Sequence, residues 1–208
     1  MTHFHIPDWE LSLFLFFNHG LKCAFLDWLM PIVSESFLVW LAGVNAAIVL
    51  WMEGKLGVAL RLLALLVVVI ILSDSSAKMV KEATGRVRPL NDIPGTHYRE
   101  DGEWRQLPAD FEREKERGSS YVSAHAANTM AIAVAISLLF ARSRPWILLL
   151  PLVVGMSRIY LGKHFPMDVA MGWLLGAATT MTLFAVIRFF HPKHPVTGGK
   201  WQLSAIWP

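Results

Sequence analysis

The sequence has little charge, a single cysteine and no cluster of potential metal ligands. Asp, Glu, Lys and Arg together make up 17% of its 208 residues. Because Cys23 is the only cysteine, an intrachain disulfide is excluded. No Cys and His residues stand at the spacings of a zinc site. We therefore expect neither redox chemistry nor structural zinc, and we predict no metal and no cofactor.

The charge that is present does not indicate nucleic acid. The net charge is +3 and the isoelectric point is near 9.2, but the basic residues are mixed with acidic ones or stand at the ends of apolar segments. Asp8 and Glu10 occupy the place where a signal peptide is basic, and no small-residue cleavage site follows. We expect no nucleic-acid partner and no cleaved leader.

Apolar length is what the sequence has in excess. Hydrophobic residues make up 54% of the chain, and the mean hydropathy is +0.44. Crossing a bilayer takes a helix of roughly 20 residues. Five stretches that carry at most one charge approach this length with their flanking residues: 37–52, 56–72, 126–141, 146–154 and 169–187. The sequence predicts an all-α, polytopic membrane helix bundle of about five transmembrane helices, forming a single domain over residues 1–208.

Two further segments complete the predicted organisation. Residues 11–33 are apolar but are interrupted by Lys22, Asp27 and Pro31, which favours an N-terminal helix lying in the membrane interface over a sixth span. Residues 90–120 form a long polar stretch, predicted to be a solvated loop or a small cap.

Orientation follows from the basic residues of the short connections and of the tail. Residues 53–61, residues 141–145 and the tail after residue 187 carry these charges, so the positive-inside rule places them in the cytoplasm. With five spans, the N-terminal segment, residues 90–120 and the turn at 162–166 then share the outer side. In the last span, Gly172 and Gly176 form a G-x-x-x-G pair, which we interpret as helix packing.

Two cations precede the long polar stretch. Lys81 and Arg88 are seven residues apart, so they would share one face of a helix that continues to Pro89. Two fixed cations on one face suit an oxyanion. The alternative is that both residues only anchor the end of a span.

A histidine and a carboxylate flank a predicted turn near the last span. Asp168 follows His164 by four residues, and Pro166 suits the first turn of a helix, so Asp168 is placed to accept a hydrogen bond from the imidazole. The other ring nitrogen would then be a nucleophile or a general base. Arg158 adds a cation just before this turn. Alternatively, His164 and Asp168 are an interfacial hydrogen-bonded pair.

Ser123, Ala124 and His125 open the third predicted span. Ser123 stands at an N-cap position, so free backbone N–H groups and the positive end of the helix would favour an anion there. His125 is then placed to protonate a leaving oxygen.

Together these residues resemble the signatures of the type 2 phosphatidic acid phosphatase family: K-x6-R-P, P-S-G-H and S-R-x5-H-x3-D. The first and third match at every fixed position, in segments 81–89 and 157–168. The middle signature departs twice, with Val122 in place of Pro and Ala124 in place of Gly. Because Ala adopts positive φ at a higher cost than Gly does, we expect an ordinary helix start at Ala124.

The resemblance implies a metal-independent phosphatase. In such an enzyme, His164 would attack phosphorus and become phosphohistidine, Asp168 would steady the imidazolium, and His125 would protonate the leaving group. The assignment of nucleophile and acid between the two histidines rests on the resemblance alone. The phosphate oxygens would be bound by the remaining signature residues: Lys81, Arg88, Ser123, the backbone at Ala124, and Arg158.

The predicted substrate is a lipid phosphate in the bilayer. Undecaprenyl diphosphate is favoured, and phosphatidylglycerophosphate, phosphatidic acid and lipid A phosphates stay open. The alternatives are a phosphotransferase that passes the phosphate to a second lipid and a non-catalytic lipid-phosphate-binding protein. We expect a bacterial inner membrane, with the site facing the periplasm or exterior; the oligomeric state stays open.

Overall fold

The computed structural model describes residues 5–35, 37–113 and 115–190. The predicted tail after residue 190 lies outside these residues. The described chain is mostly helical, and its elements in order are α1 (Asp8–Leu15), a π-helix (Phe16–Gly20), α2 (Ala24–Val33), α3 (Phe37–Met52), α4 (Leu56–Thr84), a 3-10 turn (Pro89–Asn91), β1 (His97–Glu100), β2 (Glu103–Gln106), α5 (Ala124–Leu139), a second 3-10 turn (Ala141–Ser143), α6 (Arg144–Ile147), α7 (Leu149–Tyr160) and α8 (Pro166–Phe190).

The five apolar stretches lie on helix except at residues 140 and 148, so the helical prediction is confirmed, although stretch 146–154 is divided between α6 and α7. Within the residues that the structure describes, two regions are long and apolar enough to cross a membrane, Leu56–Asn91 and Pro166–Phe190, with mean hydropathies of 2.8 and 1.7. The 29 residues of α4 span about 44 Å at 1.5 Å per residue, which exceeds a hydrocarbon core of about 30 Å. The end of α4 therefore extends past the apolar layer. The count of about five spans stays a prediction.

Helix α5 forms the centre of the bundle and packs against α4, α7 and α8. Small residues allow this close approach, since the buried face of α5 includes Ala127, Ala131 and Ala135. On α8, a Cβ added at Gly172 would lie 2.6 Å from the Ser123 carbonyl oxygen, and one at Gly176 would lie 2.0 Å from that of Ala127. The interpretation of the G-x-x-x-G pair as packing is confirmed.

The polar stretch 90–120 is not only a loop, and to this extent the all-α prediction is wrong. Strands β1 and β2 form an antiparallel hairpin joined by Asp101 and Gly102, whose φ angles are 51° and 85°. Two central residues with positive φ make the tight turn whose geometry matches strand twist, and Asp-Gly favours it. The indole N–H of Trp104 donates to the Asp27 carbonyl at 3.3 Å, which ties the hairpin to α2.

The N-terminal segment is two helices rather than the single interfacial helix of the prediction. Residues 21–23 separate the helix ending at Gly20 from α2. The first helix is packed into the protein, because Phe14 is fully buried and its ring lies 5.5 Å from that of Phe165. The side-chain amide of Asn18 donates to the carbonyls of His97 and Tyr160, both at 2.8 Å. The N-terminal helices thus hold both the hairpin and the end of α7.

Candidate active site

Three chain segments that carry the signatures meet at one end of the bundle. Backbone hydrogen bonds join each segment to the other two: Ser120 N to Arg86 O (2.8 Å), Leu90 N to Gly162 O (3.0 Å) and Ser123 N to Asp168 O (2.8 Å). Because these bonds involve main-chain atoms, they fix where the segments cross independently of the side chains that line the site.

The first segment turns away from its helix earlier than expected. Helix α4 ends at Thr84, and Gly85 adopts φ 65°, so Arg88 lies in extended backbone with φ −78° and ψ 151°. The expectation that Lys81 and Arg88 share a helix face up to Pro89 is therefore wrong. The two cations are nevertheless within electrostatic range of each other.

The middle segment starts a helix in the ordinary way. Ser123 is the N-cap of α5, with φ −73° and ψ 110°, and its hydroxyl accepts from the Ala126 N–H at 3.4 Å. Helix α5 begins at Ala124, as the sequence predicts. Its first turn carries His125, which interacts electrostatically with Arg158 and His164. Ser123 itself is fully buried and serves the helix cap.

The third segment is a tight turn between α7 and α8. Gly162 adopts φ 66°, and a Cβ there would lie 2.7 Å from the His97 carbonyl oxygen, so glycine is needed for both conformation and space. Arg158, in the last turn of α7, is 6% exposed, and His164 is 2% exposed. Helix α8 starts at Pro166, as predicted, and places Asp168 in its first turn.

The carboxylate of Asp168 is held mainly by groups other than His164. Its Oδ1 accepts from Arg86 Nη1 at 2.8 Å, and its Oδ2 accepts from Ser120 Oγ at 2.5 Å and from the Phe165 N–H at 2.9 Å. His164 Nδ1 lies 3.7 Å from Oδ2, which is ion-pair range but longer than a hydrogen bond. The predicted hydrogen bond between His164 and Asp168 is therefore absent from this geometry.

A buried ion-pair network behind Asp168 was missed by the sequence analysis. Arg86 Nη2 donates to Glu10 Oε2 at 2.7 Å, while Glu10 Oε1 accepts from the Met167 N–H at 3.0 Å. The Arg86 guanidinium also lies 4.3 Å from the centroid of the Phe165 ring. The Arg86, Glu10 and Asp168 side chains are at most 3% exposed. The sequence offered one signal for Arg86, because this cation lies inside the first signature segment, two residues before Arg88. It offered no signal for Glu10.

Burial sets the protonation state of His164. Removal from water lowers its pKa to about 4, against the opposing effect of Asp168, which favours the charged ring. The imidazole is therefore neutral at neutral pH, with an unprotonated nitrogen available.

The surrounding cations have unused hydrogen-bonding capacity. Arg158 Nη1 donates to Ser34 Oγ, but Arg158 Nε and Arg88 Nε are buried without a hydrogen-bond partner among the described residues, as is His164 Nδ1. Buried polar groups are normally paired, so unpaired donors on two guanidinium groups indicate a missing acceptor. A cavity of about 430 Å³ lined by His125 and Arg158 lies at this site. The arrangement suits an oxyanion beside a neutral imidazole.

No cluster of three His, Cys, Asp or Glu side chains able to hold a metal ion occurs among the described residues. The metal-free expectation stays a prediction, to be tested by chelation.

Comparison with known proteins gives a family match and several relatives. The model of the PAP2 superfamily matches residues 61–192. The chain is 30% identical to an undecaprenyl-diphosphatase of Sulfolobus acidocaldarius over 81% of this chain and 73% of the relative. It is 31% identical to a lipid A 1-phosphatase of Rhizobium johnstonii over 52% of this chain and 41% of that relative.

Two crystal structures share the fold. LpxE of Aquifex aeolicus superposes with a TM-score of 0.65 at 19% identity, covering 88% of this chain and 99% of that chain. A transmembrane PAP2 type phosphatidylglycerolphosphate phosphatase of Bacillus subtilis superposes with a TM-score of 0.59 at 19% identity, covering 92% and 90%. At 19% identity, both similarities show the fold alone.

Replacing Arg86 tests whether the buried network holds the site together. Arg86→Ala leaves the buried carboxylates of Asp168 and Glu10 without their shared cation, so we expect a loss of about 3–5 kcal/mol of stability. Thermal unfolding in detergent measures the loss.

The matched control is Arg105→Ala, because Arg105 pairs with Glu100 at 2.6 Å but its side chain is 47% exposed. An exposed pair contributes about 1 kcal/mol or less. Equal melting temperatures for the two variants would contradict a structural role for the buried network.

Proposed function

The chain belongs to the PAP2 superfamily, and we propose that it is a membrane phosphatase that cleaves a lipid diphosphate through a phosphohistidine at His164. One observation carries the proposal: a neutral, buried imidazole lies among cations whose buried N–H donors lack partners in the described structure. A phosphate group supplies the missing acceptors and puts phosphorus next to the nucleophile.

The first chemical step transfers the terminal phosphoryl group to His164. Its Nδ1 faces Asp168, which leaves Nε2 as the attacking atom. Burial and the neighbouring cations lower the pKa of His125 to about 3 without substrate, and the negative charge of the bound phosphate raises it so that the ring is protonated in the complex. As the N–P bond forms, the bond between phosphorus and the bridging oxygen breaks, and His125 supplies this proton to that oxygen. The lipid monophosphate leaves. Asp168 stabilises the positive charge that develops on the imidazole, although the two groups lie 3.7 Å apart.

The second step hydrolyses the phosphohistidine. Water attacks phosphorus, His125 takes the proton back, the N–P bond breaks and inorganic phosphate leaves. Through both steps Lys81, Arg88 and Arg158 bind the non-bridging oxygens, and the N-terminus of α5 at Ala124 adds its free N–H groups. Ser123 contributes by capping α5 rather than by a direct contact.

Undecaprenyl diphosphate is the substrate that we favour. One relative, which aligns with 81% of this chain, bears the name undecaprenyl-diphosphatase. Other relatives bear the name lipid A 1-phosphatase, so lipid A phosphates, phosphatidylglycerophosphate and phosphatidic acid belong in the same assay.

The test of the mechanism is phosphate release by the purified chain and by His164→Ala in detergent micelles. We expect the variant to lose at least about 10⁴-fold in kcat, because the nucleophile is gone, while excess EDTA leaves the unsubstituted chain active. His5→Ala is the control, since His5 is exposed and lies outside the site. Normal turnover by His164→Ala would refute the proposed nucleophile.

The same assay separates the alternatives. A panel of the four lipid phosphates at equal surface concentration ranks them by rate. Phosphate release without an acceptor lipid excludes an obligatory phosphotransferase, and turnover of any member excludes a protein that only binds.

We further propose that the site faces the periplasm or exterior of a bacterial inner membrane. The positive-inside rule supports this orientation, because basic Arg142 and Arg144 lie in the connection between α5 and α7, at the opposite end of α5 from His125. Cys23 is exposed and follows Lys22, whose ammonium group donates to Asp27 at 2.8 Å. Because Asp27 also accepts from Trp104 of the hairpin, Cys23 lies at the end of the bundle that carries the hairpin.

A membrane-impermeant maleimide therefore should label Cys23 in intact spheroplasts, without permeabilisation. Cys23→Ser is the negative control, and an Arg142→Cys substitution in that background reports the other face. Labelling at Arg142→Cys but not at Cys23 would show the opposite orientation and contradict the proposal.

A further inference from the structure

The cavity at the candidate site extends beyond the signature residues. Its lining includes the signature residues His125 and Arg158, and also Lys163, Arg99 and Glu35. Its volume of about 430 Å³ is many times the roughly 30 Å³ that a water molecule occupies in the liquid, so it has room for more than one phosphate group. Lys163 occupies a variable position of the third signature, and Arg99 and Glu35 lie outside the signatures.

Lys163 immediately precedes His164 and is half-buried. It forms no ion pair with any residue in the described part of the chain. Burial lowers its pKa, and the charges of Arg158 and Arg88 lower it further. An anion next to Lys163 would relieve both effects, since it compensates the buried charge and screens the neighbouring cations.

Arg99 reaches the same cavity from the hairpin. Its Nε donates to the Gly102 carbonyl at 3.0 Å, which holds the guanidinium at the tip of the hairpin. No carboxylate pairs with Arg99 in the ranges that the structure describes, whereas Arg105 on the neighbouring strand is paired with Glu100. Arg99 therefore keeps a guanidinium charge directed to the cavity that it lines.

Positive charge exceeds negative charge around this cavity. The cationic side chains in its lining are Arg99, Arg158 and Lys163, and the carboxylates are Glu35 and Asp101. Asp101 already interacts with Arg105 at 3.8 Å. The lining is thus suited to additional negative charge beyond the one phosphate that the signature residues bind.

We propose that Lys163 and Arg99 form a second phosphate subsite, which binds the phosphate retained on a lipid diphosphate and thereby selects diphosphate over monophosphate substrates. The inference rests on the proposed function. Lys163 adjoins the nucleophile in the chain, and His125 lines the same cavity, where it would meet the oxygen that bridges the two phosphates. When that bridge breaks, the retained phosphate gains negative charge next to Lys163 and Arg99.

The test compares a polyprenyl diphosphate with the monophosphate of the same chain length. For the unsubstituted protein, Lys163→Gln and Arg99→Gln, the ratio of kcat/KM for the diphosphate to kcat/KM for the monophosphate is measured in detergent micelles. We expect each substitution to lower this ratio about tenfold, the size of one charge-assisted contact to phosphate. Lys163→Arg keeps the charge and should restore the ratio to within about threefold of the unsubstituted value.

Arg105→Gln is the matched control on the same hairpin, because Arg105 is paired with Glu100 and does not line the cavity. It should leave the ratio unchanged. A second readout uses inorganic ligands as competitive inhibitors of lipid monophosphate turnover: Lys163→Gln should weaken inhibition by inorganic diphosphate about tenfold relative to inhibition by inorganic phosphate.

The outcomes separate the two proposals. No phosphate release from either lipid by the unsubstituted chain contradicts the proposed function. Release by the unsubstituted chain with an unchanged ratio in both Gln variants contradicts the subsite alone, as does an equal loss on both substrates.

Discussion

The buried guanidinium of Arg86 joins carboxylates from opposite ends of the chain, and the geometry around His164 depends on that junction. Glu10 comes from the first helix and Asp168 from the last, and each accepts one arm of the guanidinium at 2.7–2.8 Å. Burying three charges is costly, and apolar residues of similar volume often stabilise a protein as well. The main role of the Arg86 network is to position groups. Arg86 holds the Asp168 carboxylate near the imidazole of His164, and Glu10 links α1 to the start of α8 next to the turn that carries His164.

Helix ends give the site its second layer of electrostatics. Helices α5 and α8 begin there, so their positive ends lie at the site. Ser123 is the N-cap of α5, and Asp168 in the first turn of α8 accepts from the Phe165 N–H. Helices α4 and α7 end there, and Lys81 and Arg158 lie in their last turns, where cations complement the negative helix end. The positive residues that an oxyanion requires thus also stabilise the helices that carry them.

Local patterns in the sequence predicted much of this arrangement, but they did not predict the pairing of residues that are far apart in the chain. Apolar length located the helices, and Pro166 correctly marked the start of α8. The prediction that Arg88 lies on the same helix face as Lys81 was wrong, because α4 ends before Gly85, which has φ 65°, and does not continue to Pro89. The Asp101-Gly102 pair is itself a local hairpin signal, because Asp-Gly favours a turn with two positive φ angles. The contact between Glu10 and Arg86 had none, because residues 76 positions apart leave no periodic pattern.

In the proposed mechanism, His164 carries the phosphoryl group between the two chemical steps. The most direct measurement is rapid mixing with a lipid diphosphate labelled in its terminal phosphate, followed by an alkaline quench, which preserves phosphohistidine, and mapping of the labelled peptide. We expect label on the peptide that contains His164 and none in His164→Ala. Label on His125 or on any other residue, or turnover without a labelled enzyme at any time point, would contradict the mechanism.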